Sequence, residues 1–251
     1  MGFLCNWCSY AGADLAGVSR IQYPTNIRII RVMCSGRVDP TFVADAFLHG
    51  IDGVLVLGCH LGDCHYITGN YEAEIKMSML SRLLEIVKFS DRMRLDWVSA
   101  AEGNRFAQIV SDFTKHIEEL GPSPIKESKD KTQIIDDLEA VKSVLESTRL
   151  RGLTARQRDL VTEKNVYGNQ ITAEKFENLL NDAINNEFFR HKIVIKIKEI
   201  GKSVPDIANE LGIKAKEVLE HIVVLRSRGL VDVYEINEEI PTFISIQGGK
   251  E

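Results

Sequence analysis

No cysteine occurs among the 187 residues after Cys64, and the five up to and including it make an odd number. A disulfide framework is therefore not expected, because bridges need pairs distributed along the chain. No apolar stretch approaches the roughly 18–20 residues needed to span a bilayer. The N-terminus lacks a basic region followed by an apolar signal core, so export is not expected and a reducing, cytoplasmic setting is. An excess of positive charge is also missing. The 31 Lys and Arg against 36 Asp and Glu leave a net charge of −5, which argues against a general nucleic-acid binder and against an anionic membrane partner. No nucleophile–base pair, glycine-rich dinucleotide fingerprint or substrate-pocket signature is present, and no internal repeat is found. The chain is accordingly not expected to be a complete enzyme by itself. What remains, 251 residues with 44% apolar and 27% charged, is an ordinary soluble composition with room for two modest domains.

Up to about residue 120 the pattern alternates β-like runs with helical segments. Strands are expected at Gly2–Cys5, Ile27–Met33, Gly53–Leu57 and Arg94–Ser99, rich in Val, Ile and Leu without clean alternation, as in strands buried on both faces. Helical spacing marks Ala11–Val18, Pro40–His49, Tyr71–Phe89 and Gly103–Leu120. Asp39-Pro40 is a good helix start and Gly50 a good stop. Repeated β-α units with short connections imply an α/β fold with a small doubly wound, flavodoxin-like parallel sheet. The first strand is short and is expected to be the sheet's weakest element. Gly121-Pro122-Ser123-Pro124 and the charged run from Lys126 to Lys131 read as a linker. Beyond it a mostly helical extension is expected, with helices at Thr132–Ser147, Ala155–Glu163, Ala173–Phe189 and Lys192–Ile200. Ser203-Val204-Pro205-Asp206 is a helix N-cap, followed by helix Ile207–Leu211, a turn at Gly212, helix Ala215–Arg228, and strands Leu230–Ile236 and Ile240–Ile246. That order describes a winged helix-turn-helix. The expected domains are 1–121, a linker at 122–131, a helical segment at 132–189, and a winged-helix-like domain at 190–251.

Cys5, Cys8, Cys34, Cys59 and Cys64 fall where apolar runs stop. Ligands of parallel sheets gather outside the carboxyl ends of strands, so thiols from three strand ends would converge. Four thiolates satisfy either a zinc ion or a [2Fe–2S] cluster. One C-x-x-C, one lone cysteine and one C-x-x-x-x-C match neither the zinc-ribbon nor the plant-type ferredoxin spacing. Cys5-Asn6-Trp7-Cys8 between strand and helix also admits a thioredoxin-like dithiol, which leaves the other three unexplained. Core packing is the fourth reading, and five cysteines at converging strand ends disfavour it. Ser35-Gly36, Gly58, Gly62 and Gly69 permit tight loops whose N–H groups can face anionic sulfur. Helices beginning after Cys8 and after Cys34 would aim their positive ends there as well.

Three motifs carry a resemblance. Cys5-Asn6-Trp7-Cys8-Ser9-Tyr10-Ala11-Gly12-Ala13-Asp14, Arg31-Val32-Met33-Cys34-Ser35-Gly36-Arg37-Val38 and Gly58-Cys59-His60-Leu61-Gly62-Asp63-Cys64-His65-Tyr66 resemble the delta-subunit family of methyl-viologen-reducing hydrogenases over about residues 1–120. The resemblance implies an anaerobic [2Fe–2S] electron-transfer subunit. It would link a hydrogenase or formate dehydrogenase to the flavin-bearing subunit of an electron-bifurcating heterodisulfide reductase complex. The chain departs from the family pattern in lacking several residues usual in the first strand and in carrying a long C-terminal region. Five thiols for four ligand positions leave one spare. Cys8, Cys34, Cys59 and Cys64 are taken as ligands, with Cys5 within the first strand as a packing or neighbouring thiol. His60 and His65 could replace a ligand as in Rieske-type sites, but with enough cysteines present they read as hydrogen-bonding or surface residues. Trp7 and Tyr10 could face a partner or pack in the core, and Asp14 and Asp63 read as turn or cap residues.

A winged helix raises the question of DNA. Between Gly201 and Gly229 there are five Lys or Arg (Lys202, Lys214, Lys216, Arg226, Arg228) against four Asp or Glu (Asp206, Glu210, Glu217, Glu220). This is not the basic face that phosphate contacts demand, so docking to protein is expected instead. The alternatives are a redox-sensing iron–sulfur winged-helix transcription regulator and a thiol oxidoreductase working through Cys5 and Cys8.

Overall fold

Val54 to Gly58 is buried at every position, and this continuous burial places the run in the middle of a sheet covered on both faces. The structure, a computed structural model, describes residues 1–246; the last five residues of the expected winged-helix domain lie outside the described residues. It divides into two compact units, Met1–Leu138 and Glu139 onwards.

The first unit runs β1 (Gly2–Cys5), α1 (Ser9–Val18), β2 (Ile29–Val32), α2 (Pro40–Leu48), β3 (Val54–Gly58), α3 (Gly69–Ile86), β4 (Met93–Trp97), α4 (Gly103–Leu120) and α5 (Pro124–Glu127). Its four strands are parallel in the order β2-β1-β3-β4. This is the α/β, flavodoxin-like arrangement expected, with the chain reversing direction across the sheet between β1 and β3. The short first strand is central, paired with both β2 and β3, and all four of its residues are buried. The more exposed strand is the edge strand β2, whose Ile29 and Ile30 face solvent.

Side chains alternate across the sheet. Leu4, Leu55 and Leu57 enter one core with Ala13 and Ala16 of α1 and Phe106, Ile109, Val110 and Phe113 of α4. Phe3, Val54 and Val56 are buried on the opposite face. Asp39 caps α2 by accepting the Thr41 N–H at 3.0 Å, with Pro40 at the first helical position. At the far end of the sheet the buried Arg92 guanidinium donates to the carbonyls of Asp52, Leu120, Gly121 and Pro122, satisfying acceptors left open where α4 ends. Pro124 starts a single helical turn instead of interrupting one, and buries Ile125.

α6 (Thr132–Glu146) contains the boundary between units. The second unit continues with α7 (Thr148–Ala155), α8 (Gln157–Thr162), α9 (Ala173–Lys196), β5 (Lys202–Ser203), α10 (Val204–Leu211), α11 (Ala215–Ser227), β6 (Val231–Asn237) and β7 (Ile240–Ser245). α9 is one helix through residues 190–192, where two were expected, because no glycine or proline interrupts it and Phe188 and Ile193 keep its buried stripe in phase. Ser203 and Asp206 form a reciprocal capping box, and Gly212 closes α10 with φ +67°. β5, β7 and β6 form an antiparallel sheet in that order.

Glu187 of α9 has a side chain only 5% exposed and accepts hydrogen bonds from Arg190 at 2.6 Å and from both terminal nitrogens of Arg228 at 2.8 Å. Burial alone would raise its pKa, but the Arg228 and Arg190 guanidinium groups outweigh burial and hold it at about 2. A carboxylate depressed in this way contributes stability that is complete above its ordinary 4.5 and is lost as the pH falls towards 2. Glu187→Gln in the full chain is expected to cost roughly 3 kcal/mol near neutral pH, since it strands two arginines. The same variant should flatten the pH dependence of the urea midpoint between pH 4.5 and 2. Urea unfolding followed by circular dichroism across that window checks it, and a variant that tracks the wild type throughout would contradict it.

Candidate metal centre

The strand ends set the cysteines. Cys5 closes β1, Cys8 is the N-cap of α1, and Cys34 lies just past β2. Cys59 follows β3 directly and Cys64 lies in the loop leading to α3. Because Leu4 pairs with Leu57, the parallel register brings Cys5 level with the end of β3. All five thiols are free and buried, between 1% and 9% exposed. The sulfurs of Cys5, Cys8 and Cys59 lie within 4.8 Å of one another, with Cys5 to Cys59 at 4.0 Å. Cys34 and Cys64 form a second pair at 3.8 Å.

Neighbouring polar groups hold this arrangement. Ser9 is fully buried; its Oγ accepts the Cys5 N–H and donates to the Leu57 carbonyl, both at 2.8 Å, and so ties the ends of β1 and β3 together. Asn70, also fully buried, donates to the carbonyls of Cys59 at 3.3 Å and His60 at 2.6 Å, pinning the β3–α3 loop. Gly69 has to be glycine because a Cβ there would run into the Cys34 sulfur and crowd that of Cys64. Sequence reasoning missed Ser9 and Asn70. Their signal was slight, being small polar residues beside a cysteine or at a helix start.

Buried thiols cannot all ionise together without a cation. Hydrogen bonds from Cys59 and then Cys8, with the backbone N–H groups of Trp7 and Ser35, pull the Cys5 thiol down to about 2. Cys8 and Cys59 are pushed up in turn, first by their bonding to Cys5, Cys59 to about 12. Burial raises Cys34 against the pull of the Gly36 N–H.

Two thiolates on one tetrahedral metal at about 2.3 Å stand about 3.8 Å apart. The Cys5–Cys59 and Cys34–Cys64 pairs both have that separation. Backbone N–H groups of Trp7, Ser35, Gly36 and His65 act on the Cys5, Cys34 and Cys59 sulfurs, as iron–sulfur sites require. The Ser35 hydroxyl, next to Gly58 at the end of β3, is buried without a hydrogen-bond partner. These residues fit an iron–sulfur group.

The other candidates lie around this centre. His60 Nε2 is 2.7 Å from Glu102 Oε2, and the same carboxylate oxygen accepts the Ser99 N–H at 2.7 Å. The Ser99 N–H first, and His60 second, hold the Glu102 carboxyl below its ordinary range. His65 stacks on Trp7 with ring centroids 3.9 Å apart, and Trp7 Nε1 donates to the Tyr66 hydroxyl at 3.2 Å. Trp7 remains 44% exposed, so it belongs to the surface and not the core. Tyr10 packs partly against the α1–α4 core and carries the Arg31 guanidinium over its ring at 4.4 Å. Asp63 sits in a turn closed by its N–H to the His60 carbonyl, as expected. Asp14 does not cap anything; it faces solvent in the middle of α1.

Free thiols are thus gathered at the switch point of a parallel α/β unit, with a donor set that fits a metal centre. Residues 1–121 match the family described as methyl-viologen-reducing hydrogenase, delta subunit. The vhc iron-sulfur subunit of the F420-non-reducing hydrogenase from Methanococcus voltae is 48% identical over 132 residues, covering 52% of this chain and 92% of that protein. The iron-sulfur subunit of the F420-non-reducing hydrogenase from Archaeoglobus profundus is 49% identical over 119 residues, covering 47% of this chain and 87% of that protein. The chain belongs to this delta-subunit family. The same region is 55% identical over 123 residues to a subunit of the ferredoxin/F(420)H(2)-dependent CoB-CoM heterodisulfide reductase from Methanosarcina acetivorans, covering 49% of this chain. There the matched part spans only 16% of the relative's length.

Ser9→Ala and Asn70→Ala are each expected to destabilise the protein by about 1–3 kcal/mol, because each leaves buried backbone groups unpaired. Urea unfolding checks this; an unchanged midpoint for Ser9→Ala would show that β1 and β3 hold their ends together without it.

Proposed function

We propose that the first unit holds one [2Fe–2S] cluster on four of its five cysteines and relays single electrons inside an oxidoreductase complex, without a substrate reaction of its own. The observation that carries this reading is the pair of thiol pairs at 4.0 and 3.8 Å, the spacing of two ligands on each of two tetrahedral metals. A cluster bound there supplies a one-electron couple; the chain supplies thiolates, N–H donors and a dry surrounding. Zinc would need one set of four sulfurs, and the separate grouping of Cys34 with Cys64 favours two metals over one. A Cys5–Cys8 dithiol would leave three buried thiols without a role.

The relatives support the choice of partners. The same region occurs both as a segment of a longer heterodisulfide reductase chain and as a separate hydrogenase iron-sulfur subunit. Segments joined in one chain in one organism are natural partners when separate in another. We therefore read the acceptor or donor as a flavin-bearing heterodisulfide reductase-type subunit, working with a hydrogenase, formate dehydrogenase or related module. Met33, Leu61, Tyr66 and Ile67 are exposed on the loops that carry the cysteines, giving an apolar rim for docking. No helix among the described residues is long and apolar enough to cross a membrane, and the reading places the complex in the cytoplasm.

The last part of the second unit we read as a winged-helix module that docks to protein. Four of its cations are already paired: Lys202 with Glu210, Lys216 with Glu220, Arg226 with Asp232 and Arg228 with Glu187. On α11, Leu219 and Val223 face outward one turn apart, which suits a protein surface better than phosphate.

Anaerobic purification followed by iron, acid-labile sulfide and zinc analysis tests the central reading. About two irons and two sulfides per chain are expected, with an EPR signal after dithionite reduction. Stoichiometric zinc, or no metal in strictly anaerobic protein, would overturn it.

A further inference from the structure

We infer that the free edge of β2 takes up one added strand from a partner protein, an extended segment in which acidic and apolar residues alternate. The inference concerns the side of the sheet, goes beyond the relay reading and does not rest on the cluster.

β2 is an edge strand, paired only with β1. The parallel ladder uses its backbone groups alternately. The Gly2 N–H donates to the Arg28 carbonyl at 2.8 Å and the Asn6 N–H to the Val32 carbonyl at 2.7 Å, with Ile29 and Arg31 in register with Gly2 and Leu4. The N–H and C=O groups of Ile29 and Arg31 therefore point away from the sheet. Among the described residues no other group bonds to them. Such a row of open groups is a template for another strand. The side chains are open as well. Ile29 is 37% and Ile30 41% exposed, on opposite faces of the strand, whereas β1 and β3 are buried at every position.

What fits this edge follows from its charge and its two faces. From Leu15 to Val38 the chain has four arginines (Arg20, Arg28, Arg31, Arg37) and no Asp or Glu, although its net charge is −5. All four are exposed. Arg28 donates to the Thr25 carbonyl at 3.2 Å and Arg31 to the Asn6 amide oxygen, so neither charge is neutralised. Side chains at matched register share a face. Arg31 lies with Leu4 on the α1 side, where its guanidinium covers Tyr10. Ile30 lies with Phe3 on the other side, where Phe42 of α2 stacks on Phe3 with ring centroids 6.4 Å apart and is 48% exposed. An added strand would set alternate side chains beside Arg31 and the rest beside Ile30 and Phe42. The first set calls for carboxylates and the second for apolar groups. A second copy of this chain does not supply them, because pairing β2 with β2 brings two rows of arginine together.

The test uses the full chain, purified anaerobically, and a fluorescein-labelled octapeptide of alternating Glu and Val, with binding read by anisotropy. Saturable binding is expected. The same peptide methylated on its backbone nitrogens keeps its charges and side chains but cannot donate. It should bind about tenfold more weakly, as loss of two hydrogen bonds requires. An octapeptide of alternating Lys and Val should not bind the wild type. Arg31→Glu should lose the Glu–Val peptide and gain the Lys–Val one. Arg28→Glu, which leaves the strand and its Tyr10 contact untouched, should weaken the Glu–Val peptide about threefold. Equal affinity for the methylated and unmethylated peptides would mean attraction by charge without strand addition, and would overturn the inference. So would no binding of the Glu–Val peptide, or equal binding of the Lys–Val peptide. A dimer of the chain alone that Ile29→Pro dissociates, by removing an outward N–H, would give the edge to a second copy and overturn it too.

Discussion

The parallel register of β1 against β3 is the constraint on which the centre depends. With Leu4 opposite Leu57, Cys5 ends its strand where Cys59 leaves its own. A slip of one residue would turn every side chain of a four-residue strand to the other face, moving Leu4 out of the α1–α4 core and Cys5 away from Cys59. The register is held by complete burial of β1 between two neighbours and by Ser9, whose one hydroxyl joins the Cys5 amide to the Leu57 carbonyl. Packing of the core and placement of the thiols are therefore one requirement, met by the same few residues.

The electrostatics around that register explain why the thiols are sequestered as they are. Buried sulfurs gathered as a trio and a pair form a poor resting place for charge unless cations neutralise it. N–H groups from three separate loops already act on them, and a buried serine hydroxyl waits without a partner. Such an environment is built for an anionic group larger than a single thiolate. The histidines beside it are turned to other work, His60 bonded to Glu102 and His65 stacked on Trp7, which leaves sulfur as the donor set.

Much of the first unit was legible because its signals are local. Apolar runs without alternation gave the parallel strands, Asp39-Pro40 and Gly50 bounded α2, and cysteines at run ends gave the site. Three features were not legible. The place of β1 in the sheet depends on its neighbours, so a short strand read as weak proved to be central. Ser9 and Asn70 act through buried hydrogen bonds to residues 48 and 10 to 11 positions away, separations that no local pattern encodes. The grouping of Cys5, Cys8 and Cys59 in one set and Cys34 with Cys64 in another depends on loop geometry that spacing does not encode. In the second unit, α9 passed unbroken through residues 190–192 because the stretch around Phe188 and Ile193 is ambiguous by sequence until its buried stripe is seen.

The two kinds of relative show that the first unit is portable. It is nearly the whole of one protein, at 92% of the subunit from Methanococcus voltae, and a small segment of another, at 16% of the chain from Methanosarcina acetivorans. A portable relay needs its partner fixed by something other than its own metal site, because the site is common to all. In the present chain the long C-terminal region is the natural candidate for the same task. Four of the five cations between Gly201 and Gly229 are paired and α11 exposes Leu219 and Val223, so its affinity would come from apolar complementarity and not from long-range charge. Such an interface is little weakened by salt. On the proposed reading, docking through this region would hold the relay to its partner independently of ionic strength, and the rim around the cysteines could remain small.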